Sequence, residues 1–436
     1  MMKRLLICIF AIFCFIPRST GRKGFGPGEQ EWGYVEVRPN AHMFWWLYYT
    51  TADVKSYYDK PLIIWLQGGP GGSSTAYGNF EELGPLDLNL NPRNYTWIKS
   101  YNVLFIDNPV GTGFSYVNDQ TVYTTTNAQI ARDLIECIRG FYKQLPRFKF
   151  VPTYIISESY GGKMGAEFAL VWARAQKVGN IKSNLKGVVL GGAWISPIDS
   201  VTTLAPFLCN VGMMDLQIFK NITSVAKLTK AKVKSGEWEM ATKLWSYIQK
   251  IIAIKTYVNF YNIVEEKKYG DYSHLLPQSQ SSFNRDLSKH RIQNRGKLLY
   301  TLMNGQVREA LGLNVIHGHN EKIFYYLRED FMKPVTNIVE LLLNETNLKV
   351  FVYNGNLDAV VTTKSTYTWI EKLKWKKADT WKYDSIKVPL VVEGIIEGYV
   401  KATDNFAMYL VYRAGHHVPK DNPAAMALIL QDLIKE

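Results

Sequence analysis

Cysteine is scarce in this chain, with four in 436 residues. Cys8 and Cys14 fall in an N-terminal stretch with the pattern of a leader, so a mature chain would keep only Cys137 and Cys209. That excludes a scaffold held by several disulfides, and spacing leaves one bridge or two free thiols equally open. Long apolar runs are also missing. The longest, Leu5 to Ile16, has about twelve residues, too few to cross a bilayer. It follows the basic Met1-Met2-Lys3-Arg4 and precedes Pro17, Ser19, Thr20 and Gly21, the pattern of a secretory signal peptide over residues 1–21. No later run would span a membrane. No internal repeat is visible, and no nucleic-acid module. The formal charge is +13, from 51 basic and 38 acidic residues. Removing the leader would leave about +10, scattered among acidic residues. The densest clusters, Lys227-Lys230-Lys232-Lys234 and Lys372-Lys374-Lys376-Lys377, read as solvated helix faces. No nucleic-acid partner is expected.

What is present is a large apolar fraction, 47%, enough for a sizeable core. Trp32 to Val37 and Met43 to Thr50 read as an opening antiparallel pair. Pro61 to Gln67, Val103 to Asp107, Thr153 to Ile156 and Lys186 to Gly191 are runs expected of strands buried on both faces. Helical patterns lie between them at Ala128 to Leu145 and Met164 to Ala175, and that alternation predicts an α/β fold with a mostly parallel sheet. From about Ser200 to Lys322 the alternation stops. The chain becomes lysine-rich and helical, then polar around Ser273 to Ser288. Strand-like segments resume at Lys349 to Tyr353, Val388 to Val392 and Phe406 to Tyr412, with helices near Thr366 to Leu373 and Pro423 to Ile434. The predicted division is a leader (1–21), a core in two parts (22–199 and 323–436), and a helical insertion, or cap, over 200–322.

Ser157-Glu158-Ser159-Tyr160-Gly161-Gly162-Lys163 lies between the strand ending at Ile156 and a helix. A serine between a buried strand and a helix, hemmed in by small residues, is the nucleophile elbow of an α/β-hydrolase fold. Ser157 stands where the usual motif has glycine. The strand ending at Gln67 runs into Gly68-Gly69-Pro70-Gly71-Gly72-Ser73-Ser74, placed to aim a backbone N–H at a reacting carbonyl. A phosphate-binding loop is discounted, since the Gly-Lys-Ser/Thr ending and a helix start are lacking. No cofactor or metal is expected. An acid and a histidine must follow the serine in that order. Asp358 lies just after the strand ending at Tyr353. His416 lies on the loop between the last strand and the last helix.

Four motifs carry a family resemblance. Trp65-Leu-Gln-Gly-Gly-Pro-Gly-Gly-Ser-Ser74, Asp107-Asn-Pro-Val-Gly-Thr-Gly-Phe-Ser-Tyr116, Glu158-Ser-Tyr-Gly-Gly162 and Ala414-Gly-His-His-Val-Pro419 together resemble the serine carboxypeptidases over nearly all of the mature chain. The resemblance implies Ser159 as nucleophile, His416 as general base and acid, and Asp358 as the group orienting the imidazole. It implies the N–H groups of Gly69 and Tyr160 as oxyanion donors. It further implies Gln67, Gly68 and Glu158 as readers of the substrate's C-terminal carboxylate, with Glu82 sharing a proton with Glu158 and an acidic optimum as the consequence. The substrate would be peptide or protein C-termini. The sequence does not give the oligomeric state, and a homodimer stays open. Asn94, Asn221 and Asn344 each begin a glycosylation sequon, in keeping with a secreted or lysosomal chain. Five positions depart from the family pattern: Gln67 for Asn, Gly72 for a disulfide cysteine, His417 for Met, and Gly192-Ala193 for a more polar pair. An acyltransferase using the same triad, or a low-turnover binding protein on the same fold, stay open at this point.

Overall fold

The computed structural model describes residues 21–265, 292–318 and 321–435. Residues 1–20 of the predicted leader, with Cys8 and Cys14, and the polar stretch of 273–288 lie outside the described residues.

Among the described residues eleven strands form one sheet: β1 (Gln30–Arg38), β2 (Ala41–Tyr48), β3 (Leu62–Leu66), β4 (Asn102–Ile106), β5 (Tyr116–Val117), β6 (Thr153–Glu158), β7 (Leu185–Gly191), β8 (Lys349–Gly355), β9 (Lys387–Val392), β10 (Ile395–Thr403) and β11 (Phe406–Val411). Their order is β1-β2-β4-β3-β6-β7-β8-β11-β10-β9, with β5 paired to β2. Neighbours from β4 through β11 run parallel. The flanking pairs are antiparallel. This is the expected α/β-hydrolase arrangement, a mostly parallel sheet with helices on its faces.

The period of two in a strand sorts the apolar residues into two cores. Leu62, Ile64 and Leu66 of β3 join the core covered by helices Asn127–Gln144 and Tyr160–Lys177. Ile63 and Trp65 join the opposite core, under helices Ser74–Leu83 and Pro423–Ile434. Burial on both faces is why these runs read as continuous rather than alternating.

Between β7 and β8 the described residues are largely helical, with Pro197–Asn210, Leu216–Lys234, Trp238–Lys255 and Ile292–Leu302 as the longest helices among them before residue 303. Two local expectations change. A helix does start after the glycine-rich loop: Ser73 accepts from the Ala76 N–H and caps Ser74–Leu83. Its wide turns carry small and aromatic residues that sequence periodicity alone does not mark as helical. Strand β10 is also new, because its exposed Ile395 and Ile396 interrupt the usual alternation where it pairs with the edge strand β9. Both Cys137 and Cys209 are free thiols. Burial raises the Cys137 thiol far above its ordinary pKa.

Candidate functional site

Ser159 leaves β6 with φ 61° and ψ −128°, a backbone conformation that costs a non-glycine residue of order 1–3 kcal/mol. The neighbours hold it there. Its N–H donates to Gly191 O (2.9 Å), and its own carbonyl accepts from Trp194 N (2.9 Å) and Gly162 N (2.9 Å). Gly68 comes so close that a Cβ on it would lie 2.5 Å from Ser159 Cβ and 2.9 Å from Tyr160 N. The unusual Ser157 fits because its hydroxyl donates to Val189 O on the adjacent strand (2.9 Å). Ser159 itself is partly exposed, whereas Glu158 and Tyr160 beside it are buried.

On the loop after β11, His416 is buried and its Nδ1–H donates to Asp358 Oδ2 at 2.7 Å. Asp358 Oδ1 accepts from the N–H groups of Val360 (2.8 Å) and Val361 (2.9 Å), which lock the carboxylate. Burial works against a charged His416 imidazole. The charge and hydrogen bond of Asp358 more than offset it, with help from Glu158, and raise the pKa above its ordinary value. The other ring nitrogen, Nε2, is buried and has no hydrogen-bond partner among the described residues. The 191–194 segment links this pair to the serine. Its Gly191 carbonyl holds Ser159, and a Cβ on the next residue, Gly192, would lie 3.0 Å from His416 Nδ1 and 3.2 Å from Asp358 Oδ2.

The structure thus brings the exits of β3, β6, β8 and β11 together with Ser159, Asp358 and His416 on three of them. Tyr160 opens a helix, so its N–H belongs to the group a helix leaves without an internal partner. Gly69, at φ 115°, turns the chain just beyond Gly68. Asp107 steadies the far side of that loop. Its Oδ1 accepts from Ser73 Oγ (2.7 Å) and Thr75 N (3.1 Å), and its Oδ2 from Thr75 Oγ1 (2.8 Å) and Phe114 N (2.9 Å). Ser73 Oγ also meets His317 Nε2 at 3.0 Å.

A second group of ionisable side chains surrounds Gln67. Trp65 Nε1 donates to Gln67 Oε1 (2.8 Å), and since indole is a donor only, this sets the amide's orientation. Gln67 Nε2 then donates to Glu82 Oε1 (2.9 Å) and Glu158 Oε1 (3.1 Å). The extra methylene of Gln over Asn still lets one amide span both carboxyls. His417 Nδ1 lies 2.8 Å from Glu158 Oε1 and 3.5 Å from Glu82 Oε1. Burial, then the Glu82 charge, raise Glu158 to about 7 against the pull of His417. Burial also acts on Glu82, but His417 and hydrogen bonds outweigh it and lower its pKa. Of the two carboxyls, Glu158 is therefore the one that keeps a proton to higher pH. Among the described residues, only Glu82, Glu158 and His417 offer three donors close enough to share a cation. The Gln67 NH2 aimed at both carboxyls makes this a proton-and-donor cluster, ill suited to a metal ion.

Several contributors were invisible in sequence. His417 stands in the sequence only as a departure from the family pattern, with nothing to place it against Glu158. Lys163, wholly buried, pairs with Asp330 and also donates to Lys333 O (3.0 Å). Tyr261 stacks on His417 at 5.1 Å between centroids. Their partners lie about 156–170 residues away, and no local pattern joins them. The sequons differ too. Asn94 and Asn221 are exposed, while the Asn344 amide donates to Lys374 O (3.0 Å) and accepts from Lys376 N (3.1 Å). Among the described residues, no helix is long and apolar enough to cross a membrane.

Comparison with known proteins gives a consistent picture. The family model described as serine carboxypeptidase matches residues 21–436. The retinoid-inducible serine carboxypeptidase of Rattus norvegicus is 41% identical over 420 residues, covering 94% of this chain and 92% of that protein. Serine carboxypeptidase-like 51 of Arabidopsis thaliana is 35% identical over 462 residues, covering 98% of each. Among solved structures, Kex1(delta)p, a prohormone-processing carboxypeptidase from Saccharomyces cerevisiae, aligns with a TM-score of 0.78 at 22% identity, over 93% of this chain and 91% of that one.

Proposed function

The chain belongs to the serine carboxypeptidase family, and on that premise we propose that it releases single residues from peptide C-termini through Ser159, His416 and Asp358. In the first step His416 Nε2 takes the Ser159 proton as the hydroxyl oxygen attacks the last peptide carbonyl. The N–H groups of Gly69 and Tyr160 receive the developing oxyanion, a contribution of about 3–4 kcal/mol per donor in comparable sites. His416 then hands the proton to the leaving amine, and the acyl-enzyme forms as the C–N bond breaks. Water attacks that ester by the same route in reverse roles and restores the serine. Asp358 keeps Nδ1 protonated and compensates the imidazolium.

The observation that carries this reading is the buried His416–Asp358 bond of 2.7 Å, set beside the segment that holds the Ser159 backbone. Terminus selection follows from Gln67, Gly68 and Glu158. A substrate carboxylate needs the Glu158 proton, and Glu158 keeps that proton in acid, which supports an acidic optimum. Residues 200–322 act as the cap, with Tyr261 and His317 as its contacts to the site. An acid hydrolase behind a leader, with exposed sequons, fits the secretory pathway or lysosome.

An active-site serine phosphonate tests the chemistry. It should label the wild type and leave Ser159→Ala unlabelled, and an unlabelled wild type of native fold overturns the triad. At acidic pH a free peptide should be cut much faster than its C-terminal amide. Equal rates would remove the carboxylate reader.

A further inference from the structure

His417 stands where the family pattern has an apolar residue, yet here it is tied to the two buried carboxyls of the terminus-reading cluster. Nδ1 is committed to them, 2.8 Å from Glu158 and 3.5 Å from Glu82. Nε2 makes no hydrogen bond among the described residues. His417 is also the cluster's outward member, with 27% of its side chain exposed against 0% for Glu158 and 2% for Glu82. Stacking with Tyr261, at an interplanar angle of 20°, holds the ring in place.

We propose that His417 is a specificity-determining residue that binds the substrate's C-terminal carboxylate, its Nε2–H serving as a charged donor beside Glu158, Gln67 and Gly68. The inference rests on the carboxypeptidase reading above. Its physical basis is charge balance. With Glu82 ionised and a proton on Glu158, a neutral side chain at position 417 would leave the subsite at −1 and repel a carboxylate. An imidazolium brings it to zero. The groups that bear on this ring are Glu158 from β6, Glu82 from the helix after the glycine-rich loop, and Tyr261 from the segment after Trp238–Lys255. His416 lies next to it on its own loop, and the Tyr353 hydroxyl of β8 interacts electrostatically with the same two carboxyls. The two carboxylates dominate, so His417 stays charged well above the ordinary imidazole range, despite burial.

The sign of the pH effect is definite. The His417 cation favours ionised Glu158, so removing it should let Glu158 keep its proton to higher pH while weakening binding at low pH. His417→Met and His417→Gln test this through the ratio of kcat/KM for a free peptide to that for its C-terminal amide. Loss of a charged hydrogen bond predicts a fall in that ratio of about tenfold or more for Met, carried by KM. The Gln variant, with a neutral donor, should fall less. The upper limb of the KM profile should move above its wild-type position in both. An unchanged ratio and an unmoved limb, in variants that still take the phosphonate, overturn the proposal. Glu158→Gln in the same assay separates the two claims. If it lowers the ratio and the His417 variants do not, His417 is merely structural and the reader stands. If Glu158→Gln and Gln67→Ala also leave the ratio unchanged, the reader itself is wrong, and this inference falls with it.

Discussion

Lys163 Nζ lies 2.7 Å from Asp330 Oδ2, with no part of the lysine side chain exposed. The pair joins the helix that starts just after Ser159 to the 330–333 segment, where Tyr160 also donates to Asp330 Oδ2 (3.1 Å) and stacks on Phe331. Burial lowers the Lys163 pKa, and Asp330 opposes that.

Replacing one partner leaves the other charge buried and uncompensated. Lys163→Met should therefore cost about 3–5 kcal/mol of unfolding free energy, read from denaturant midpoints at constant m-value. A cost under about 1 kcal/mol would mean that the site relaxes to admit water.

Asp358→Asn removes the charge that balances the His416 imidazolium and disturbs the tautomer that Nδ1 must keep. The kcat should fall by about 10⁴-fold with KM little changed. Single-turnover kinetics with an ester substrate would check it, and a loss of tenfold or less would point to another acid.

The pH dependence should separate substrates. Glu158, raised to about 7, is protonated in acid and loses that proton as pH rises through this value. Binding of a free C-terminal carboxylate is thus present below about 7 and lost above it. KM for a free peptide should climb across that range, while KM for the amidated peptide stays flat. Parallel profiles for both substrates would count against Glu158 as the reader.

Gly68 has no room for a side chain. A methyl there would sit 2.5 Å from Ser159 Cβ and 2.7 Å from Glu158 O, and the backbone oxygen has no way to step aside. Displacement of the serine by even about 1 Å predicts a loss near 10²-fold in kcat/KM for Gly68→Ala. The fold should survive, as near-ultraviolet circular dichroism would report.

Glycan mapping by mass spectrometry should find Asn94 and Asn221 occupied. A glycan on Asn344 would take one Nδ2 hydrogen and crowd the amide against the Lys374 carbonyl it donates to, so that site should be empty. Full occupancy at Asn344 would mean the 374–376 segment departs from its observed course.

The sequence by itself determined the strand-and-helix alternation and the chain order of Ser159, Asp358 and His416, because those signals are local. A strand buried on both faces is an unbroken apolar run, and a tight elbow demands small residues within a few positions. It also marked Gln67 and Glu158 through short motifs. Only the tertiary structure decided that His417 meets Glu158, 259 residues earlier in the chain, and that Lys163 meets Asp330. Such contacts leave no periodic trace. They depend on which strand ends the fold sets side by side, and there the partnering carboxylates oppose the loss of charge that burial would impose on a histidine or lysine.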